Sequence, residues 1–181
     1  MIVNAGVRYD HVTTNIHSYN DWFKTPINTT DSVYKQRSQD LHRSFNSLTW
    51  SAGINYATGN WILKANIGKS FRVPIPKELG TDGINYHIFR YEKGNPTLNP
   101  EESYQLDLGL RWGNDKVTVQ FDPYLNYFPN YIYMNPTPDY YEGLQWYFYT
   151  QSRVIRYGAE LQLNWKILPS LSTELKGEYL Y

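Results

Sequence analysis

His87 sits in the run Asn85-Tyr86-His87-Ile88-Phe89-Arg90-Tyr91, an imidazole set among rings and a guanidinium. A neutral imidazole suits haem iron as an axial ligand, and zinc or copper would accept it as well. Tyr86, Arg90 and Tyr91 could stack on or hydrogen-bond a bulky ligand beside it. Arg72 could meet an anionic chelate as a fixed cation. A second aromatic group, Tyr140, Tyr141, Trp146 and Tyr147, offers further stacking faces with polar tips. Plainer readings stand beside these. A lone loop histidine is more often a solvated side chain, and clustered rings more often hold loops together or line a membrane interface.

Other chemistry finds little material. His11, His17, His42 and His87 do not fall at metal-ligand spacing, and there is no Gly-x-Ser-x-Gly elbow or phosphate loop. No serine stands out as a nucleophile, so neither an enzyme nor a permanently bound cofactor is expected. Cysteine is absent, which removes disulfides and thiolate metal sites. Lys plus Arg and Asp plus Glu number 17 each, a balance without the basic footprint of a nucleic-acid binder. Aromatics nevertheless reach 17%, with 18 Tyr and 6 Trp, at a mean hydropathy of −0.61. Tyr and Trp have an apolar body and a wet tip, so they favour interfaces. No apolar run is long enough for a membrane helix.

The elements that must carry these residues show a two-residue alternation. Val3, Ala5, Val7 and Tyr9 alternate with Asn4, Gly6, Arg8 and Asp10. Leu48, Trp50, Ala52, Ile54 and Tyr56 oppose Ser47, Thr49, Ser51, Gly53 and Asn55. Trp61, Leu63, Ala65 and Ile67 stand against Lys64, Asn66, Gly68 and Ser70. Tyr104, Leu106, Leu108, Leu110 and Trp112 stand against Ser103, Gln105, Asp107, Gly109 and Arg111. A fifth segment runs from Lys116 to about Tyr133, where Pro123 marks a bulge or an edge. A sixth, Trp146 to Lys166, ends with Tyr157, Ala159, Leu161, Leu163 and Trp165 against Gly158, Glu160, Gln162 and Asn164. Leu171 to Tyr181 is a weaker seventh. The expectation is an all-β chain of about seven antiparallel strands with no helix of any length.

Connections alternate in length. Short turns fall at Thr58-Gly59-Asn60, Gly113-Asn114-Asp115 and Leu168-Pro169-Ser170, and long irregular ones at about Thr13–Ser44, Pro74–Glu102 and Asn135–Leu144. Transmembrane barrels have this asymmetry of periplasmic turns and extracellular loops. Tyr56, Trp61, Trp112 and Trp165 flank the short turns on the apolar face, as an interfacial girdle requires. The segments also reach the roughly 9–11 residues of a tilted span, against about 5–6 for average globular strands. Seven strands leave the first and last running the same way, so the sheet cannot close antiparallel on itself, and open edges in lipid are costly. Together with the absence of a signal-peptide pattern after Met1, this gives the expectation of an internal piece of a larger barrel.

Two motifs carry a family resemblance. Ser70-Phe71-Arg72-Val73-Pro74 closes the third segment, and Tyr91-Glu92-Lys93-Gly94-Asn95-Pro96-Thr97-Leu98-Asn99-Pro100-Glu101-Glu102-Ser103-Tyr104 leads into the fourth. Over about forty residues they resemble the paired FRAP and NPxL motifs of TonB-dependent outer-membrane receptors, with Val73 where alanine is usual. Tyr157-Gly158-Ala159-Glu160-Leu161 is similar to the GxE strand of the same barrels.

The resemblance implies an antiparallel transmembrane β-barrel of about 22 strands, plugged by an N-terminal domain. It places the chain in the bacterial outer membrane, where Asn28-Thr29-Thr30, a glycosylation sequon by pattern, carries no meaning. Residues 1–181 would be a partial barrel domain lacking the plug. Its partners would be outer-membrane lipid, the plug and the remaining strands, the TonB complex through that plug, and a small-molecule cargo. The cargo would be a scarce nutrient such as an iron or other metal chelate or haem, with vitamins and glycans left open. Haem-uptake members place a histidine between the two motifs as an axial ligand, which makes His87 the candidate for that role if the cargo is haem or a metal, although receptors for other cargo carry histidines in this loop as well. Read physically, Phe71 and Pro74 suit a rim where a strand becomes a loop, and Asn95-Pro96 and Asn99-Pro100 are turn formers. Arg8, Asp10, Lys64, Asp107, Arg111 and Glu160 would line the polar inner wall. Two other readings share the alternation: a passive porin, which has no reason to carry the motif pair, and a soluble glycan-binding sheet, which would dissolve without detergent.

Overall fold

The computed structural model describes residues 1–24 and 32–181; the sequon at Asn28-Thr29-Thr30 lies outside them. The alternating segments form one antiparallel wall in the order β1 (Ile2–Ile16), β4 (Leu41–Thr58), β5 (Trp61–Arg72), β8 (Glu101–Gly113), β9 (Val117–Tyr141) and β10 (Leu144–Leu168). The seventh, β11 (Leu171–Leu180), pairs with the half of β10 nearest the turn. All three short turns fall where expected. Gly59 takes φ 54° in the first, and in the second the Asn114 side chain accepts from the backbone of Lys116 and Val117, both at 2.9 Å.

The long connections depart from the expectation. The first contains a hairpin, β2 (Tyr19–Lys24) with β3 (Ser32–Ser38). The second holds a helix, α1 (Pro76–Gly80), and a hairpin of β6 (Asp82–Asn85) with β7 (Arg90–Lys93). The expectation of no helix is therefore corrected by five residues. Pro76 starts the helix where its missing N–H would have been unpaired anyway, and Glu78 Oε2 accepts the Ile75 N–H at 2.9 Å. The third connection is not a loop. β9 and β10 continue to Tyr141 and Leu144 and join through Glu142 (φ 51°) and Gly143 (φ 81°), the values of a type I′ hairpin turn. Pro123 marks neither bulge nor edge. Its strand is paired on both sides, and the ladder to β8 merely omits Leu108 and Gly109, with Asp107↔Tyr124 and Leu110↔Phe121 in one register. In the ladder between β9 and β10 the register shifts lie higher, at Ser152/Val154 and Gln145/Tyr147.

Burial shows what solvent the wall needs. Leu48, Ile54, Leu63, Ile67, Leu106, Leu108, Leu110, Leu161 and Leu175 all remain exposed on one face. A soluble sheet would cover such a face; in a membrane, lipid does. At the turn end Trp61 lies opposite Trp112, with ring centroids 6.4 Å apart. Towards the other end the outer face turns polar. Tyr9 donates to Asn46 Oδ1 at 2.7 Å, and Thr13 meets Ser44 at 3.3 Å. β9 and β10 have 25 residues each, roughly 80 Å of strand at about 3.3 Å per residue, so both extend well past a bilayer.

The buried core lies at the loop end. Phe45, Leu79, Leu98 and Ile132 form one cluster with Ile16, Leu41, Val73 and Tyr149 around it. Ile84, Tyr91 and Leu144 form a second with Tyr141 and Trp146. Both fasten the second connection to the wall, which is how a rigid scaffold comes to hold a loop-borne site.

Candidate functional site at the mouth of the wall

The two sequence motifs meet in one knot. The Arg72 guanidinium donates to both Glu78 oxygens, at 3.0 and 2.8 Å, and to Glu101 Oε2 at 3.1 Å. One side chain therefore ties the end of β5 to α1 and to the start of β8. Glu101 Oε2 also accepts the Ile132 N–H at 2.7 Å, and Asn130 Oδ1 accepts the Glu102 N–H at 2.9 Å. The Gln151 amide donates to Asn99 O at 2.9 Å and accepts the Asn99 N–H at 3.0 Å. Within the turn, Asn95 Oδ1 accepts from Thr97 N at 3.0 Å, and Arg43 reaches the carbonyls of Pro96 and Leu98. Val73 and Leu98 join the core cluster below.

Gly94 completes the knot by proximity. Its N–H donates to Thr81 O at 2.6 Å and the Asn95 N–H to Glu78 O at 2.7 Å. A Cβ at Gly94 would stand 2.7 Å from Gly80 N and 2.8 Å from the Leu79 carbonyl carbon, both backbone atoms that cannot rotate aside. Gly94→Ala should therefore loosen this connection by about 1–3 kcal/mol, the usual cost of overpacking. Hydrogen exchange of the 95–102 amides would register it, and native-like protection in the variant would refute the close-approach reading.

Of the residues expected to bind ligand, Tyr86, His87 and Arg90 come together on the β6–β7 hairpin. Its tip is formed by Tyr86, His87, Ile88 and Phe89, all exposed, with Phe89 67% accessible and at φ 47°. The Asn85 side chain accepts the His87 N–H at 3.2 Å and so shapes the turn. The imidazole stands in the open, beside apolar side chains.

Tyr91 is placed otherwise. It is 1% exposed, stacked on Trp146 at 5.2 Å and against Tyr141 at 4.9 Å. Its hydroxyl donates to Asp82, and burial first, then Asp82, push its pKa well above the ordinary phenol value. Arg72 belongs to the motif knot, its charge already met by two carboxylates. Arg90 lies over the Tyr147 ring at 4.7 Å. The two aromatic groups read separately in the sequence are thus a single assembly, because β7 pairs parallel with β10 through Tyr91↔Trp146.

Glu92, which spacing gave no reason to single out, anchors the hairpin. It is 2% exposed and accepts from Lys77 at 2.7 Å, Arg90 at 2.8 Å and Asn85 at 2.9 Å. Burial raises its pKa, but these donors outweigh that and hold the carboxylate below its ordinary range. Glu78, Glu101, Asp82 and Lys35 were likewise missed. Only α1 had a readable signal, with Pro76 at its first position and Glu78 two residues on.

The family model described as "TonB dependent receptor-like, beta-barrel" matches residues 1–181. The chain belongs to this family. Solved TonB-dependent receptors of similar fold include the hemophore receptor HasR of Serratia marcescens, determined with its hemophore HasA and heme. It superposes with a TM-score of 0.73 at 21% identity, over 99% of this chain and 31% of that one. The copper transporter OprC gives 0.75 at 16% identity over 99% and 26%. The siderophore receptor PirA of Pseudomonas aeruginosa gives 0.65 at 18% over 98% and 34%. The TonB-dependent receptor chain therefore spans about a quarter to a third of the length of these structures. At such identities the likeness establishes the fold, an antiparallel barrel wall.

Proposed function

We propose that this chain is part of the wall and mouth of an outer-membrane receptor that imports a metal-bearing small molecule, haem or another metal chelate, with energy passed through TonB. The receptor family and the bare apolar face support the setting. Among the described residues β1 and β11 are each paired on one side only and run the same way, and further strands would be needed to close a barrel. A plug domain would face the inner row that includes Arg8, Lys64, Asp107, Arg111 and Glu160. HasR, OprC and PirA take heme, copper and siderophore by their descriptions, and the cargo proposed for this chain lies within that chemical range.

The observation that carries the cargo class is His87 on the exposed hairpin tip, with Tyr86, Ile88 and Phe89 beside it. Among the described residues no three His, Cys, Asp or Glu side chains gather where a metal ion could be held. A bare ion asks for several protein ligands. A haem or chelate arrives with most of its ligands and needs one imidazole and apolar contact. Tyr86 and Arg90 would take the flanks of such a planar cargo, by stacking and by charge.

Haem titration of the receptor carrying this chain, followed by its Soret band, tests the reading against His87→Ala. Binding should weaken by at least roughly tenfold, since loss of even an outer partner of a metal ligand costs about 10–100-fold, and the ligand-field bands should shift. Equal affinity and an unchanged spectrum would remove His87 from the site.

A further inference from the structure

Arg90 and Glu92 lie on one face of β7, and Tyr91 and Lys93 on the other. The second face is the fixed back of the β6–β7 hairpin. There the Tyr91 ring stacks on Trp146, and its hydroxyl meets Asp82 and the Lys35 ammonium. The first face is organised by one buried carboxylate. Glu92 Oε1 accepts from Arg90 Nε at 2.8 Å and from Asn85 Nδ2 at 2.9 Å, while Oε2 accepts from Lys77 at 2.7 Å. A buried ion held in this way stabilises a fold no better than apolar packing would. What it does supply is orientation, at the hairpin that carries His87.

Two consequences reach the tip. With Nδ2 drawn to Glu92, the Asn85 amide presents Oδ1 to the His87 N–H at 3.2 Å, so the carboxylate fixes the backbone beneath the imidazole. Arg90 is held by its Nε, with the guanidinium carbon 4.7 Å from the centre of the Tyr147 ring. A guanidinium has further N–H groups on its two terminal nitrogens, and among the described residues no hydrogen bond engages those of Arg90. The side chain is 29% exposed, so they are open to a ligand. Lys77 and Arg90 are two cations on one carboxylate, which leaves this face one positive charge in excess. A planar fork that lies along a ring and lacks acceptors is matched by a carboxylate, which can take two parallel bonds. We propose that Glu92 is the positioning residue of the cargo hairpin: it aims Arg90 at a carboxylate of the cargo beside His87, so that the site selects an acidic metal chelate over its neutral ester. This rests on the receptor reading above and narrows its cargo to chelates that carry a free carboxylate.

The test compares haem with haem dimethyl ester on the receptor carrying this chain, each titrated through its Soret band. The two share the iron and the ring and differ in the charge of the side arms. The parent should bind haem about tenfold more tightly than the ester, the scale of a hydrogen bond to a charged group. Arg90→Gln should abolish that preference while the His87-dependent spectrum persists. Glu92→Gln, which keeps the size but not the charge, should reduce the preference although Arg90 is intact, and Glu92→Asp should recover part of it. The preference is a ratio of two affinities on the same folded molecules, so a Glu92 that only stabilised the fold would leave it unchanged. Equal binding of haem and ester by the parent would overturn the acidic-cargo assignment alone. A parent-like preference in Glu92→Gln would overturn the positioning role. Binding of neither porphyrin by the parent would overturn the haem reading and this inference with it.

Discussion

Replacing Arg72 by methionine should open the connection between Pro74 and Glu102 while leaving the strands of the wall paired. The guanidinium makes three charge-assisted bonds to Glu78 and Glu101. Glu78 is 8% exposed, so losing the cation leaves a buried carboxylate without its counter-charge. Breaking such a pair costs about 3–5 kcal/mol. The Arg72 side chain is 41% exposed, which puts the expectation at the lower end, about 3 kcal/mol. If the loss is local, amides of α1 and the NPxL turn should exchange about 100-fold faster, with β8 and β9 protected as before. Lys at this position should recover only part, because an ammonium cannot fork between two carboxylates. Unaltered exchange in Arg72→Met would mean that the motif arginine does not hold the knot.

The second large effect is expected on the opposite side of the wall. Leu108 is the middle residue of the apolar row Tyr104, Leu106, Leu108, Leu110 and Trp112, and it is 45% exposed. In water an arginine there would be close to neutral. At the midplane of a bilayer it should cost about 2–4 kcal/mol. Leu108→Arg should therefore lower the folded, heat-modifiable fraction of the receptor in outer membranes, whereas Asp107→Asn, one residue away on the inner face, should not. Equal folding of the two variants would argue that this face meets water, and with it would go the membrane reading. The comparison uses the strand's own alternation as its control, since neighbours on one strand face different solvents.

How far the sequence could be read follows from how local each signal was. Period-two alternation is a property of adjacent residues, so the wall strands, the three short turns and the apolar face were legible before any contact was known. The pair of tryptophans at the turn end was legible for the same reason, because Trp61 and Trp112 sit next to turns that the sequence marks. Extent was less legible. β9 and β10 run on through residues that read as loop, because there both faces meet water or other loops and alternation loses its cause. Glu142-Gly143 closes that hairpin by backbone conformation, which composition does not reveal.

The site was legible as a list but not as an arrangement. His87, Tyr86 and Arg90 are near in sequence and remain near on one hairpin. Tyr91 belongs to the same run, yet strand alternation and the parallel pairing with β10 turn it inwards, from a candidate contact to a buried support. Lys35 and Glu92 carried no local signal, since their partners lie 56 residues away in one case and across a hairpin and a helix in the other. What the sequence determined alone was the element type and the faces, both set by neighbouring residues and by the solvent each face prefers. What only the tertiary structure decided was which charges are buried together and which loops they fasten, because burial and long-range pairing are properties of the assembled chain.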